Sequence, residues 1–298
     1  MKYLLVGYGI QGKKRQKILK EKCIGIVDPF SKEAHYKSLK QVDKNTFQNA
    51  IVSVPYKEQE KIINQLIVMK KNILVDKPLI LKNIKSFDKI ENQLNKNKII
   101  LKTSYNHRYE ESIKLCKKYI NKKSLGKIYY LKIFYGNGTS KNIKASYWKD
   151  SRTGVRTDLI SHLIDLSIYL LDSDNLKLIS KRDFKFENKK ADLAKLDINC
   201  SDTKIYLEAS YLSWKNKFNL EIVGSKGSIH IENLSKWGKV FFTFFKRKFP
   251  SGKPKEFKKI FYPLDKTFYL DISDFEKRIN KKNSQKLKSD KIIFQFIS

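Results

Sequence analysis

Two short stretches hold side chains able to do chemistry. The first is Asp76-Lys77-Pro78, directly after the apolar run Ile73-Leu74-Val75. That order puts a lysine at the carboxyl end of a parallel strand, the edge at which open α/β sheets bind ligands. The proline either locks a turn or permits a cis bond that aims the lysine. With 63 Lys and Arg in the chain, a lysine alone carries no information, and its company has to decide. The second stretch is Gly154-Val155-Arg156-Thr157-Asp158-Leu159-Ile160-Ser161-His162. On a helix, residues four apart share a face, so Asp158 and His162 are expected to project together while Leu159, Leu163, Leu166 and Leu170 pack elsewhere. Histidine titrates nearest neutrality, and a neighbouring carboxylate orients the ring and stabilises its protonated form. By itself such a pair is more often a surface ion pair on a helix.

A third motif points to a cofactor. Gly7-Tyr8-Gly9-Ile10-Gln11-Gly12 follows an apolar strand, opens a helix, and is succeeded by Asp28 at the end of the next strand. Gly7 allows the tight turn, Gly9 lets a pyrophosphate approach the backbone, and Gly12 lets helix pack on strand. The helix N-terminus then offers N–H groups and partial positive charge to phosphates. Ile10 and Gln11 in the loop, Ser53 and Pro55 at the end of the third strand, and Asp76 and Lys77 at the end of the fourth belong to the same cofactor edge. A carboxylate at Asp28 accepts from ribose hydroxyls and repels a 2′-phosphate, favouring NAD, although the nearby Lys32 leaves NADP open.

The elements that must position these groups fall into two sets. Residues 1–104 alternate short apolar runs with amphipathic stretches, the pattern of a parallel sheet wrapped by helices. Strands are expected over 2–7, 23–28, 50–55, 73–77 and 99–103, and helices from Lys13, over 57–70 and over 84–96. A helix over 108–121 opens residues 105–298, which are mostly long alternating strands: 128–134, 194–199, 204–212, 218–223, 228–232 and 239–246. Short turns such as Ser201-Asp202 and Ser225-Lys226-Gly227 predict antiparallel hairpins. One helix, 157–171, interrupts them, and a basic helical tail closes the chain. The expected fold class is α/β, a doubly wound Rossmann domain followed by an α/β domain with a large open, mainly antiparallel sheet.

Composition excludes more than it selects. Cys23, Cys116 and Cys200 are widely spaced, without a CxxC pair, so they predict neither a disulfide framework nor a zinc site. The net charge of +33 would serve polyanion binding if clustered, but lysine is spread through almost every segment, so no specific nucleic-acid partner is expected. No apolar run is long enough for a membrane span, and the start lacks a secretory signal, which predicts a cytoplasmic protein.

Taken together and in order, the glycine loop, Asp76-Lys77-Pro78, Tyr105-Asn106-His107-Arg108 and the Gly-x-x-x-Asp-x-x-x-His segment resemble the glucose-fructose oxidoreductase / inositol dehydrogenase family, Gfo/Idh/MocA. Leu125-Gly126-Lys127-Ile128 and the hairpin Gly224-Ser225-Lys226-Gly227-Ser228 extend the resemblance along essentially the whole chain. It implies an NAD-dependent oxidoreductase acting on a hydroxyl-bearing carbon of a sugar, inositol or nucleotide sugar. It further implies Lys77, Asp158 and His162 as the catalytic centre, Tyr105, Asn106 and Arg108 beside the substrate, and a homodimer or homotetramer formed through the second domain's sheet. Arg156, a cation where the family usually has a small residue, is also expected beside the substrate, and no metal is expected. The run Phe241-Phe242-Thr243-Phe244-Phe245 fits a buried contact. Lys77 and His162 are expected on hydrated, open surfaces, dispensable for folding. Three positions depart from the family pattern: Asp76 replaces a glutamate, Gln59 a common histidine, and Arg152-Thr153-Gly154 a glycine triplet. The alternative reading is a catalytically inactive, nucleotide-sensing relative with the same fold.

Overall fold

The computed structural model describes residues 1–145, 152–281 and 284–298, and these divide into two compact units: Met1–Asn106 with Phe268–Phe294, and His107–Thr267 with Gln295–Ser298. The first is built on a five-stranded parallel sheet of β1 (Tyr3–Val6), β2 (Cys23–Val27), β3 (Asn49–Val52), β4 (Asn72–Asp76) and β5 (Leu101–Ser104), in the order β2-β1-β3-β4-β5. Strands β1, β3 and β5 are buried along their whole length, which is why β1 and most of β3 read as apolar runs and not as alternation; β5 is buried with polar residues, Lys102, Thr103 and Ser104. Helices α1 (Ile10–Leu19), α2 (Tyr56–Val68) and α3 (Ile84–Lys96) connect them. The order reverses between β1 and β3, and that crevice is the topological switch point where such sheets bind ligands.

Helix α1 starts three residues before the expected Lys13, because Ile10 is 73 % exposed and contributes no apolar periodicity. The structure also returns Phe268–Phe294 to the first unit. Helix α7 (Thr267–Lys281) buries Ile272 and Phe275 with Tyr3, Leu5, Ile26 and Leu74, and the Tyr3 hydroxyl donates to Glu276 at 3.0 Å.

The second unit begins with α4 (Glu111–Asn121) and carries an eight-stranded sheet: β6 (Ile128–Gly136), β7 (Leu176–Phe184), β8 (Leu193–Cys200), β9 (Thr203–Ser210), β10 (Lys217–Gly224), β11 (Gly227–Glu232), β12 (Val240–Lys246) and β13 (Lys255–Phe261). Its order is β13-β12-β11-β10-β6-β9-β8-β7, antiparallel except where β6 runs parallel to β9. The expected hairpins are present at β8–β9 and β10–β11. Strands β8 and β10 alternate strictly between buried and half-buried residues, so one sheet face is core and the other is not. The short helix α5 (Ser140–Lys144), the helix α6 (Ser161–Leu171) and the closing helix α8 (Lys288–Ile297) complete the chain. Strands β7 and β13 and the short helix α5 have no counterpart in the elements expected from the sequence, and the expected helical tail is two helices, α7 and α8.

Candidate active site

In the first unit the glycine loop has the form its spacing predicts. Gly7 sits at φ +92°, and a Cβ there would lie 2.3 Å from the Ser53 carbonyl oxygen. Gly12 is as tight, since a Cβ would meet the Gly7 carbonyl oxygen at 2.2 Å. A Cβ on Gly9, by contrast, would enter open space. The loop is therefore tight at two glycines, against the Ser53 carbonyl that follows β3 and against its own Gly7 carbonyl, and faces outward at the third, in front of the N-terminus of α1, whose first N–H groups have no intrahelical acceptor. The Ser53 backbone N–H donates to Val6 at 2.7 Å, locking the two strand ends together. Its hydroxyl is buried with no hydrogen-bond partner among the described residues, a group that normally has one. Ile10, Gln11 and Pro55 are exposed along the same edge.

Asp28 closes this edge. Its Oδ2 accepts from the Tyr8 N–H at 2.7 Å, and its Oδ1 accepts from the Phe30 and Ser31 N–H groups, each at 2.8 Å. Desolvation pushes the carboxyl up, but the three backbone donors outweigh it and hold the group below its ordinary carboxylate range. Asp28 is thus ionised and bonded to the loop itself. It keeps acceptor capacity, because a carboxylate has about four lone-pair sites.

The residues fit a dinucleotide: an open glycine at a helix N-terminus, an unpartnered hydroxyl beside it, and an ionised carboxylate two strands along.

At the end of β4, Lys77 is half-buried and the Lys77–Pro78 bond is cis. The preceding residue is the surprise. Asp76 accepts from Arg15 at 2.9 Å, and Arg15 is wholly buried. Arg15 also reaches Ser104 and, at 3.2 Å, Asp271 of α7. Asp271, itself 0 % exposed, pairs with Lys102 and accepts from the Ser104 hydroxyl at 2.5 Å. Two cations and two anions are therefore interleaved under the sheet's carboxyl edge. Nothing in the sequence pattern marks this network, because its members are spread from α1 to α7. Tyr105 and Asn106, expected beside the substrate, are 4 % and 7 % exposed at the end of β5.

The second unit holds the other half of the expected centre. A π-helical turn, Arg156–Ile160, leads into α6, so Asp158 and His162 do not lie on one regular α-helix as their spacing predicts. Asp158 gains a partner the spacing does not indicate: the buried Tyr211 hydroxyl donates to its Oδ2 at 3.1 Å. His162 is 6 % exposed, against the expectation of a hydrated side chain. Its ring lies against His107, centroids 4.1 Å apart, with Tyr135 of β6 at 6.3 Å. Lys236 donates to the Tyr135 hydroxyl at 2.7 Å and lies over the Trp237 ring. Burial, then the Asp158 and Glu110 carboxylates, push the Tyr135 phenol well above its ordinary range, so it stays neutral. Glu110 ties in the turn that carries Lys236, accepting from the Ser235 hydroxyl at 3.1 Å.

His107, Tyr135, Tyr211 and Lys236 were not among the residues expected at the site. Only His107 had a sequence cue, its place inside the Tyr-Asn-His-Arg motif. Two expected substrate residues have protein partners. Arg108 forms a two-pronged pair with Asp165, Nε donating at 2.7 Å, and Asp165 is buried. Arg156, 6 % exposed, pairs with Asp183 of β7 at 3.3 Å.

Residues 113–230 match the model of the GFO/IDH/MocA C-terminal domain. The curated proteins contain no match to the sequence. Among solved structures, levoglucosan dehydrogenase in complex with NADH superposes with a TM-score of 0.84 at 15% identity, covering 100% of this chain and 95% of that one. A putative NADPH-dependent oxidoreductase from Desulfitobacterium hafniense gives 0.83 at 14% identity, covering 99% and 92%. UDP-N-acetylglucosamine 3-dehydrogenase GnnA from Acidithiobacillus ferrooxidans gives 0.79 at 15% identity, covering 99% and 95%. At such identities the likeness concerns the fold. The second unit thus contains a segment similar to the GFO/IDH/MocA C-terminal domain, and along its whole length the chain has the fold of these solved structures.

Proposed function

We propose that this protein is an NAD-dependent oxidoreductase that transfers hydride between nicotinamide and a hydroxyl-bearing carbon of a sugar, inositol or nucleotide sugar. The observation that carries the reading is the glycine loop, open at Gly9 and flanked by Ser53 and the ionised Asp28. NAD, when bound there, supplies the hydride acceptor. In the oxidative direction His162 takes the proton of the substrate hydroxyl, and Lys77, as an ammonium, stabilises the oxygen that loses it. Asp158, held by Tyr211, supplies negative charge that favours the protonated imidazole. Structural relatives crystallised with NADH and levoglucosan support the cofactor and the substrate class.

Gly9→Val is expected to abolish NADH binding in a fluorescence titration, because its side chain would fill the open space before the helix. Asp28→Ala is expected to weaken NAD more than NADP. Unchanged titrations for both variants would remove the cofactor assignment. Mass spectrometry of ligands co-purifying with the protein tests the substrate class, and a co-purified molecule without a hydroxyl-bearing ring or chain would overturn it.

We further propose a homodimer or homotetramer formed through the eight-stranded sheet. Phe242 and Phe244 face inward onto Tyr119. Phe241 is 45 % exposed and paired with the equally exposed Ile260, which leaves apolar surface on the outer face. Light scattering at micromolar concentration should give a multiple of the chain mass, and a strictly monomeric mass would refute this.

A further inference from the structure

We propose that Gln59 and Arg15 are positioning residues that fix the Asp76-Lys77-Pro78 turn and so set where the Lys77 ammonium is presented; the assignment rests on the role given to Lys77 above. The turn is held from two sides. Gln59, on α2 and 1 % exposed, donates from Nε2 to the Asp76 carbonyl at 3.0 Å and accepts at Oε1 from the Ile80 N–H at 2.8 Å. One planar amide therefore closes residues 76–80 into a loop, meeting one backbone acceptor and one backbone donor at a buried position where both need partners. Arg15, on α1, holds the Asp76 carboxylate at 2.9 Å and is itself fixed by Asp271 and Ser104. The short aspartate at position 76 is met by a long side chain reaching across from the neighbouring helix. Because Arg15 lies one turn beyond the glycine loop, the same side chain links the loop's helix to the strand that ends in Lys77.

Both residues act through the backbone and the carboxylate beside Lys77. Loss of either frees the turn and alters the surroundings of a half-buried amine, whose nucleophilicity follows its environment.

The test is trace labelling of the whole protein with acetic anhydride, read at each lysine by peptide mass spectrometry, with Lys98 and Lys226 as internal references. Gln59→Leu removes both amide bonds, and Arg15→Lys keeps the charge but loses the fork. In both variants the labelling rate of Lys77 relative to the references should change by about threefold or more, because the amine's position and surroundings are altered. Gln59→Glu retains the acceptor for Ile80 and should change it less. A Lys77 rate equal to wild type in Gln59→Leu and Arg15→Lys overturns the proposal. If Arg15→Lys fails to fold, the Gln59 pair decides alone. Lys77→Ala with unimpaired turnover would remove the role of the lysine while leaving the labelling result standing, so the two failures are told apart.

Discussion

Asp271→Ala is expected to destabilise the protein by about 3–5 kcal/mol, the usual cost of removing one partner from a buried ion pair. The aspartate is 0 % exposed and is shared by Arg15, Lys102 and Ser104. Without it, Arg15 retains Asp76 and Lys102 retains the more distant Asp274 at 3.7 Å, and the desolvation cost of the two buried cations is less well offset. For a chain of this size each kcal/mol moves the melting temperature by about 2–4 °C, so a drop of roughly 10 °C is expected by circular dichroism. Asp271→Asn, which keeps the shape and loses the charge, should fall between. A melting temperature matching wild type for Asp271→Ala would mean that the pairs contribute nothing net. The prediction concerns stability and is independent of any activity.

The second large effect lies in turnover. Lys77→Ala and His162→Ala are expected to lower it by about 10² to 10⁴, the range that acid–base assistance commonly supplies. The two differ in their effect on the fold. Lys77 is half-buried at a strand end, so its truncation should leave the melting temperature nearly unchanged. His162 is packed against His107 and Tyr135, so His162→Ala also opens a cavity and should lower stability. His162→Asn fills more of the space and separates the two effects. Tyr211→Phe, which removes the hydroxyl donating to Asp158, should reduce turnover less than Asp158→Asn. Near-normal turnover for both alanine variants on the identified substrate would discard this chemical centre.

Which parts of this molecule could be read in advance follows from the range of the interactions involved. The glycine loop and Asp28 were legible because a strand, a tight turn, a helix and the next strand occupy one short stretch. Helix α3 was legible to the residue, since Phe87, Ile90 and Leu94 bury at regular helical spacing. Helix α1 was less so, because its buried face carries Arg15, a charge that reads as surface until Asp76 and Asp271 are brought to it. His107, Tyr135 and Tyr211 come to His162 and Asp158 from a turn and two strands far apart in sequence, and no periodicity records that. The π turn before α6 breaks the four-residue rule that placed Asp158 and His162 together. Strands β7 and β13 escaped for another reason. Each borders the sheet on one side only and carries lysines where an interior strand would alternate with apolar residues.

Those two borders restrict how copies of the chain can associate. An open sheet edge is a row of unpaired backbone groups, a template on which a further strand, and then a fibre, can grow. Here one edge presents Lys177, Lys181 and Arg182, and the other Lys255, Lys258 and Lys259. Two copies meeting border to border bring several lysines and an arginine together, only partly offset by Asp183 and Glu256. Lysines that read as diffuse compositional bias are thus placed where they oppose strand addition at either border of the sheet.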